Sequence, residues 1–181
     1  MDLMKMARMV LAGAAMAATT AGAQYPNKPF LVHMPGAPGG SFDTMTRLVT
    51  TRLAENLKQP VVVENIAGAG GTLAIDRCIA AKPDGYNLCI GYVGNLAIAP
   101  YLYPKLAYDP LKDVKPVVLL GSVSFVLAVP ASSPYKSVDD LVKYAKANPG
   151  KLNYASSGNG AGAHVGGELM KQQLKLDMVH V

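Results

Sequence analysis

Apolar residues along this chain fall into two kinds of spacing, and the alternation between them predicts a strand and helix rhythm. Phe30 to Met34 is a short apolar run bounded by prolines, which predicts a strand. From Phe42 the apolar positions recur at Met45, Leu48, Val49, Leu53 and Leu57, a helical spacing closed by Gln59-Pro60. Val61-Val62-Val63 is continuous and β-branched, which suits a parallel strand covered on both faces. The cycle then repeats with a helix over 72–81, a Pro83-Asp84-Gly85 turn and a strand over 86–91. Residues 93–115, rich in Pro and Tyr, read as a short helix and a loop over the sheet, and Val117 to Leu120 and Phe125 to Val129 are apolar again. Ser137 to Asn148 reads as a capped helix, with Asp139 and Asp140 at its positive end and Asn148-Pro149-Gly150 as its stop. A strand over 152–155, a helix over 163–173 and an apolar strand from Met178 follow. The βαβαβ order predicts a doubly wound α/β sheet with right-handed crossovers.

The first residues break this rhythm. Lys5 and Arg8 precede an apolar run from Met9 to Ala18, and Thr19 to Ala23 supplies the small-x-small pattern of a signal peptidase site. The expectation is a secretory signal peptide over 1–23, cleaved between Ala23 and Gln24, and a working place in the periplasm. The apolar run is about half of the roughly 20 residues that a membrane-spanning helix needs, so no direct membrane insertion is expected. Neither of the two cysteines lies next to the cleavage site, which disfavours a lipid anchor. At the other end the chain stops inside the apolar stretch Met178-Val179-His180-Val181, which reads as a truncation.

Half of the residues are apolar, enough for a real core. The net charge of +5 drops by one when Asp2, Lys5 and Arg8 are removed, and the lysines are scattered without interleaved aromatics. Nucleic acid is therefore not an expected partner, and the charge favours acidic ligands. Cys78 falls on a predicted helix and Cys89 on a predicted strand, so both two buried thiols and a disulfide stay open. Their spacing, with no partnered His, gives no metal site.

Four small-residue turns follow predicted strands: Pro35 to Ser41, Ala67 to Gly71, Tyr92 to Asn95 and Ser156 to Gly162. In an open α/β sheet these share one edge, where ligands bind. Three of them run straight into helices, whose first amides are unpaired and carry partial positive charge. Ser41, Ser156, Ser157 and Asn159 add side-chain donors, Asn95 closes the third turn, and neither Arg nor Lys lies inside any of the four. This is a pattern for carboxylates held by amides and hydroxyls. Asp43 would repel such a ligand, and reads either as a helix cap or as an acceptor for a ligand amine or hydroxyl. His164, near a helix N-terminus, reads as a neutral ligand donor or as a cap; His33 and His180 read as packing or solvent-facing.

Other chemistries have weaker support. Gly68-x-Gly70-Gly71 lacks the third glycine of a dinucleotide fingerprint, because Leu73 stands there, and no Gly-Lys-Ser/Thr phosphate loop occurs. A Ser157–His164 hydrolase is the alternative from another class, yet Ala155-Ser156-Ser157-Gly158 is no nucleophile elbow and neither Glu168 nor Asp177 has an obvious triad role. The expectation is a binding protein without a cofactor rather than an enzyme. A third reading is a truncated product that neither folds nor binds.

Several spaced motifs together resemble the Bug family of periplasmic solute receptors, the extracytoplasmic subunits linked to tripartite tricarboxylate transporters. They are Tyr25-Pro26-x-Lys28-Pro29, Pro35-x-x-Pro38-Gly39-Gly40-x-x-Asp43, Gln59-Pro60-Val61-Val62-Val63-Glu64-Asn65, Gly68-Ala69-Gly70-Gly71 and Pro83-Asp84-Gly85-Tyr86. Tyr103-Pro104-Lys105-Leu106-x-Tyr108-Asp109-Pro110, the Pro149 to Gly158 stretch and Met178-Val179-His180-Val181 complete the set. The resemblance implies a periplasmic-binding-protein type II-like fold: two doubly wound α/β domains with a hinge, here residues 24–123, lacking a return segment, and 124–181, an incomplete second domain. It implies a small organic anion as ligand, such as a di- or tricarboxylate or an amino acid, and transporter subunits or a sensor as partners of a monomer. Ligand contacts carried over by motif fall at Gly39, Gly40, Ser41 and Asp43, at Gly68, Ala69 and Gly70, and at Ser156, Ser157, Gly158 and Asn159, with His164 nearby. His33 stands where the family usually has an aliphatic strand residue, and Cys78 and Cys89 replace common apolar residues.

Overall fold

The central strand, β1 (Phe30–Met34), is flanked by β2 (Val61–Asn65) and β3 (Asn87–Cys89), both parallel to it, in the order β2-β1-β3. A computed structural model describes residues 25–181 of the protein; the expected signal peptide and its cleavage point lie outside them. The register sets Val32 beside Val63 and Leu88, and His33 beside Glu64 and Cys89. Covered on both sides, β1 buries Phe30, Val32, His33 and Met34, as its unbroken apolar run requires. The expected strand over 86–91 is shorter: Tyr86 instead packs its ring on Phe30, with centroids 5.0 Å apart, and its hydroxyl donates to Asn27 Oδ1 at 3.0 Å.

Parallel neighbours need crossovers, and two helices supply them. Helix α1 (Ser41–Leu57) joins β1 to β2, and α2 (Thr72–Ala80) joins β2 to β3. Thr46 of α1 donates to Met34 Sδ, whereas Arg77 of α2 donates to Glu64, the register partner of His33. Successive residues of a strand face opposite sides, so the two helices cover opposite faces, the doubly wound arrangement. In α1 the apolar spacing finds the helix but not its buried side. The buried positions are Asp43, Thr46 and Thr50, while Leu48 is 69% exposed. The reason lies at the turn before α1, where Asp43 is drawn inward by hydrogen bonds.

Beyond β3 the chain makes a single wide helical turn over 93–98 and a short helix, α3 (Ala99–Leu102). Residues 116–130 have no regular structure. A second parallel sheet follows, β4 (Leu152–Tyr154) beside β5 (Met178–His180), with α4 (Val138–Ala147) before it and α5 (Gly162–Leu174) between its strands. Ala145, Leu176 and Met178 form its core, packed by Val142, Leu152 and Met170. Ser137 caps α4 as expected, its Oγ accepting from the Asp140 amide at 3.1 Å. No helix of the described residues is long and apolar enough to cross a membrane.

Candidate functional site

The turn after β1 is built around one carboxylate. Asp43, 3% exposed in the first turn of α1, accepts from the Gly39 amide at 2.9 Å, from Arg47 Nε at 3.0 and 3.1 Å, and from Asn65 Nδ2 at 2.9 Å. Arg47 also donates to Asn65 Oδ1 at 2.8 Å, and Asn65 to the Gly36 carbonyl at 3.2 Å. The Arg47 hydrogen bond, then those from Gly39 and Asn65, hold the Asp43 carboxyl well below the usual carboxylate range, against an opposing effect of burial. The carboxylate thus fastens the β1 turn to the end of β2. Gly40 is the N-cap and has no side chain to offer, so the first amides of α1 remain open beside the exposed Gly39, Gly40 and Ser41.

The turns after β2 and β3 are tied to one another by side chains reaching main chain. Tyr92 OH donates to the Gly70 carbonyl at 2.7 Å, and Asn95 Nδ2 to those of Gly71 at 3.4 Å and Ile90 at 3.3 Å. Asn95 Oδ1 accepts from the Tyr92 amide at 2.9 Å, and Tyr108 OH donates to the Asn95 carbonyl, which leaves Asn95 fully buried. The Tyr92 ring stacks on Phe42 of α1 with centroids 5.1 Å apart, linking this pair of turns to the first. The backbone between them is tight and left-handed: φ is +60° at Gly70 and +87° at Gly71, and a methyl group on Gly71 would sit 2.7 Å from the Tyr92 hydroxyl. Gly68 and Ala69 lie exposed at the rim.

The fourth turn, after β4, belongs to the second sheet rather than to the edge of the first, yet it comes up against the same place. A methyl group on Gly70 would lie 3.1 Å from the Asn159 carbonyl oxygen, and one on Gly94 3.2 Å from that of Gly160. Ser156 Oγ lies 2.8 Å from His180 Nε2 and accepts from the Gly158 amide at 3.2 Å. His164 accepts from the Gly160 amide at its Nδ1, 3.2 Å away, so its ring caps the turn with the proton left on Nε2. The His164 and His180 rings lie 4.4 Å apart. No hydrogen bond joins Ser157 to His164 among the described residues.

The expected site residues therefore divide in two. Asp43, Asn95, Ser156 and His164 are engaged in holding turns. Ser41, Ser157 and Asn159 are exposed and make no side-chain hydrogen bond among the described residues, and Gly39 and Gly158 face open space. Such an arrangement presents amides and hydroxyls, while the nearby guanidinium of Arg47 is neutralised by Asp43. Sequence reasoning missed Arg47, Asn65, Tyr92 and His180 as turn-holding residues. Arg47 was visible as a base four residues after an acid on a helix; the other three bond to partners far along the chain and leave no local signal.

The family model described as a tripartite tricarboxylate transporter family receptor matches residues 45–181. BugT of Bordetella pertussis is 36% identical over 162 residues, covering 89% of this chain and 50% of BugT. Among solved structures, MatC from Rhodopseudomonas palustris with bound malate is 38% identical with a TM-score of 0.80, over 87% of this chain and 53% of MatC. A second R. palustris protein, solved with adipate, is 32% identical with a TM-score of 0.83, over 87% of this chain and 52% of its own. The chain spans about half the length of these proteins, and across that half it shares their periplasmic-binding-protein fold. With the family model covering most of the sequence and the fold in agreement, the chain belongs to the tripartite tricarboxylate transporter receptor family.

Proposed function

We propose that this chain is the turn-bearing half of a periplasmic receptor that captures a small carboxylate and presents it to a tripartite tricarboxylate-type transporter or to a sensor. The observation that carries the reading is the pairing of free main-chain and hydroxyl donors at strand-end turns with an arginine already neutralised by Asp43. Such a site takes charge from the ligand, not from side chains, which suits anions of varied length. The malate and adipate found with two relatives are both dicarboxylates. On this reading Gly39, Gly40, Ser41, Gly68, Ala69, Gly70, Ser157, Gly158 and Asn159 face the ligand, while Asp43, Asn95, Ser156 and His164 position them. Residues 24–123 and 124–181 belong to two lobes, the leader over 1–23 directs export, and the receptor works as a monomer without catalysis, cofactor or nucleic acid.

Charge-assisted hydrogen bonds contribute roughly 1.5–3 kcal/mol each, so three or four approach the ~8 kcal/mol of micromolar affinity. Thermal melting in the presence of malate, adipate, citrate and glutamate tests the proposal. A ligand at a hundred times its dissociation constant adds about 2.7 kcal/mol to stability, and the melting temperature should rise for at least one of these anions. Ser157→Ala should weaken that ligand roughly tenfold or more. A cooperative melt that no carboxylate raises overturns the reading.

A further inference from the structure

We propose that Cys78 and Cys89 are a dithiol built to close a disulfide between α2 and β3. Cys78 lies four and three residues after Ala74 and Ile75, both completely buried, and therefore shares the face of α2 that meets the sheet. Cys89 stands beside His33 in the register of β3 on β1, and His33 is on the side of the sheet that α2 covers. Both residues are only partly buried. Helix and strand thus bring two thiols face to face across the Pro83-Asp84-Gly85 turn. The two thiols lie close enough to perturb one another, and this proximity together with burial pushes the Cys78 thiol up. Either thiol of such a pair can supply the attacking thiolate.

The step balances with an external disulfide as oxidant. One thiolate of the pair attacks one sulfur of the reagent and releases one reagent thiol; the other cysteine then loses its proton and attacks the sulfur of that mixed disulfide, releasing the second. The protein dithiol is oxidised by two electrons, the reagent disulfide is reduced to two thiols, and the new bond ties α2 to β3. This inference does not depend on ligand binding and stands or falls apart from the receptor reading.

Equilibration of the chain with mixtures of oxidised and reduced glutathione, quenched with acid and read by mass spectrometry after non-reducing digestion, tests it. The expected product is a single linked peptide joining Cys78 to Cys89, with no retained glutathione. The bridge should form at least about thirtyfold more favourably in native buffer than in concentrated guanidinium, and the oxidised chain should melt about 5 °C or more above the reduced one. In Cys78→Ser, Cys89 should hold a glutathione adduct and the melting difference should vanish. Stable glutathione adducts on both cysteines of the wild-type chain, or a bridge no more favoured in native buffer than in denaturant, would overturn the proposal. Both overturning outcomes are read on the wild-type chain and do not depend on the folding of the variant.

Discussion

Asp43 illustrates how a single buried carboxylate can organise a strand-end turn. It lies where its charge would repel an anion, but Arg47, Asn65 and the Gly39 amide surround its two oxygens. Because its folded-state pKa is depressed, its contribution to stability is fully present above the ordinary carboxylate value of about 4 and is lost as pH falls toward the folded value. Asp43→Asn should therefore melt below wild type at neutral pH, and the difference should shrink as pH drops below about 4; melting curves across that range check it. A constant gap would mean that the charge is not what holds the turn. His33 departs from the strand pattern in a comparable way: it is buried, with Nε2 3.4 Å from Asn87 Oδ1 and Nδ1 3.6 Å from Glu64, so it packs in the sheet as its place in the strand implied.

Glycines set the limits at the scale of elements. Gly71→Ala should cost more than about 1 kcal/mol in urea unfolding, because the residue is left-handed and the added methyl would meet the Tyr92 hydroxyl, displacing its bond to Gly70. The order of strands and helices was legible because each element carries its own period, and Ser137 and Gln59-Pro60 announced a start and a stop. Two things were not legible. The buried side of α1 follows Asp43, Thr46 and Thr50, and only tertiary hydrogen bonds select that polar face over Leu48 and Val49. The division of site residues into turn-holding and free donors depends on partners such as Tyr92 with Gly70 and Ser156 with His180, separated by 22 and 24 positions.

For the whole molecule, the apolar runs over 117–129 are the unusual feature. Val117, Leu119 and Val126 are each more than four-fifths exposed, although the composition of this stretch suits a sheet interior. The segment nonetheless runs past both halves: a methyl group on Gly121 would lie 2.9 Å from Met45 Sδ of α1, and Phe125 lies over Gly162 at the start of α5. Contiguous exposed apolar surface of this kind drives association. Taken alone, this 181-residue chain, in contrast to the monomeric whole receptor proposed above, should therefore self-associate as its concentration rises, and Leu119→Lys with Val126→Lys should reduce that without lowering the melting temperature, as read by light scattering beside thermal melts. Equal scattering from both proteins would place the sticky surface elsewhere.

The separation between residues that hold the turns and residues that line them has an evolutionary consequence. Main-chain amides are encoded by no particular side chain, so most of the donors at these turns survive almost any substitution that keeps the bend. In the proposed site, replacing Ser41, Ser157 or Asn159 breaks no side-chain hydrogen bond of the turns, whereas replacing Asp43, Asn95 or Tyr92 does. On the receptor reading proposed above, the preferred anion should change through two or three rim mutations that leave the turn-holding hydrogen bonds in place. A library randomised at positions 41, 157 and 159 would sample new specificities from an almost undamaged starting point.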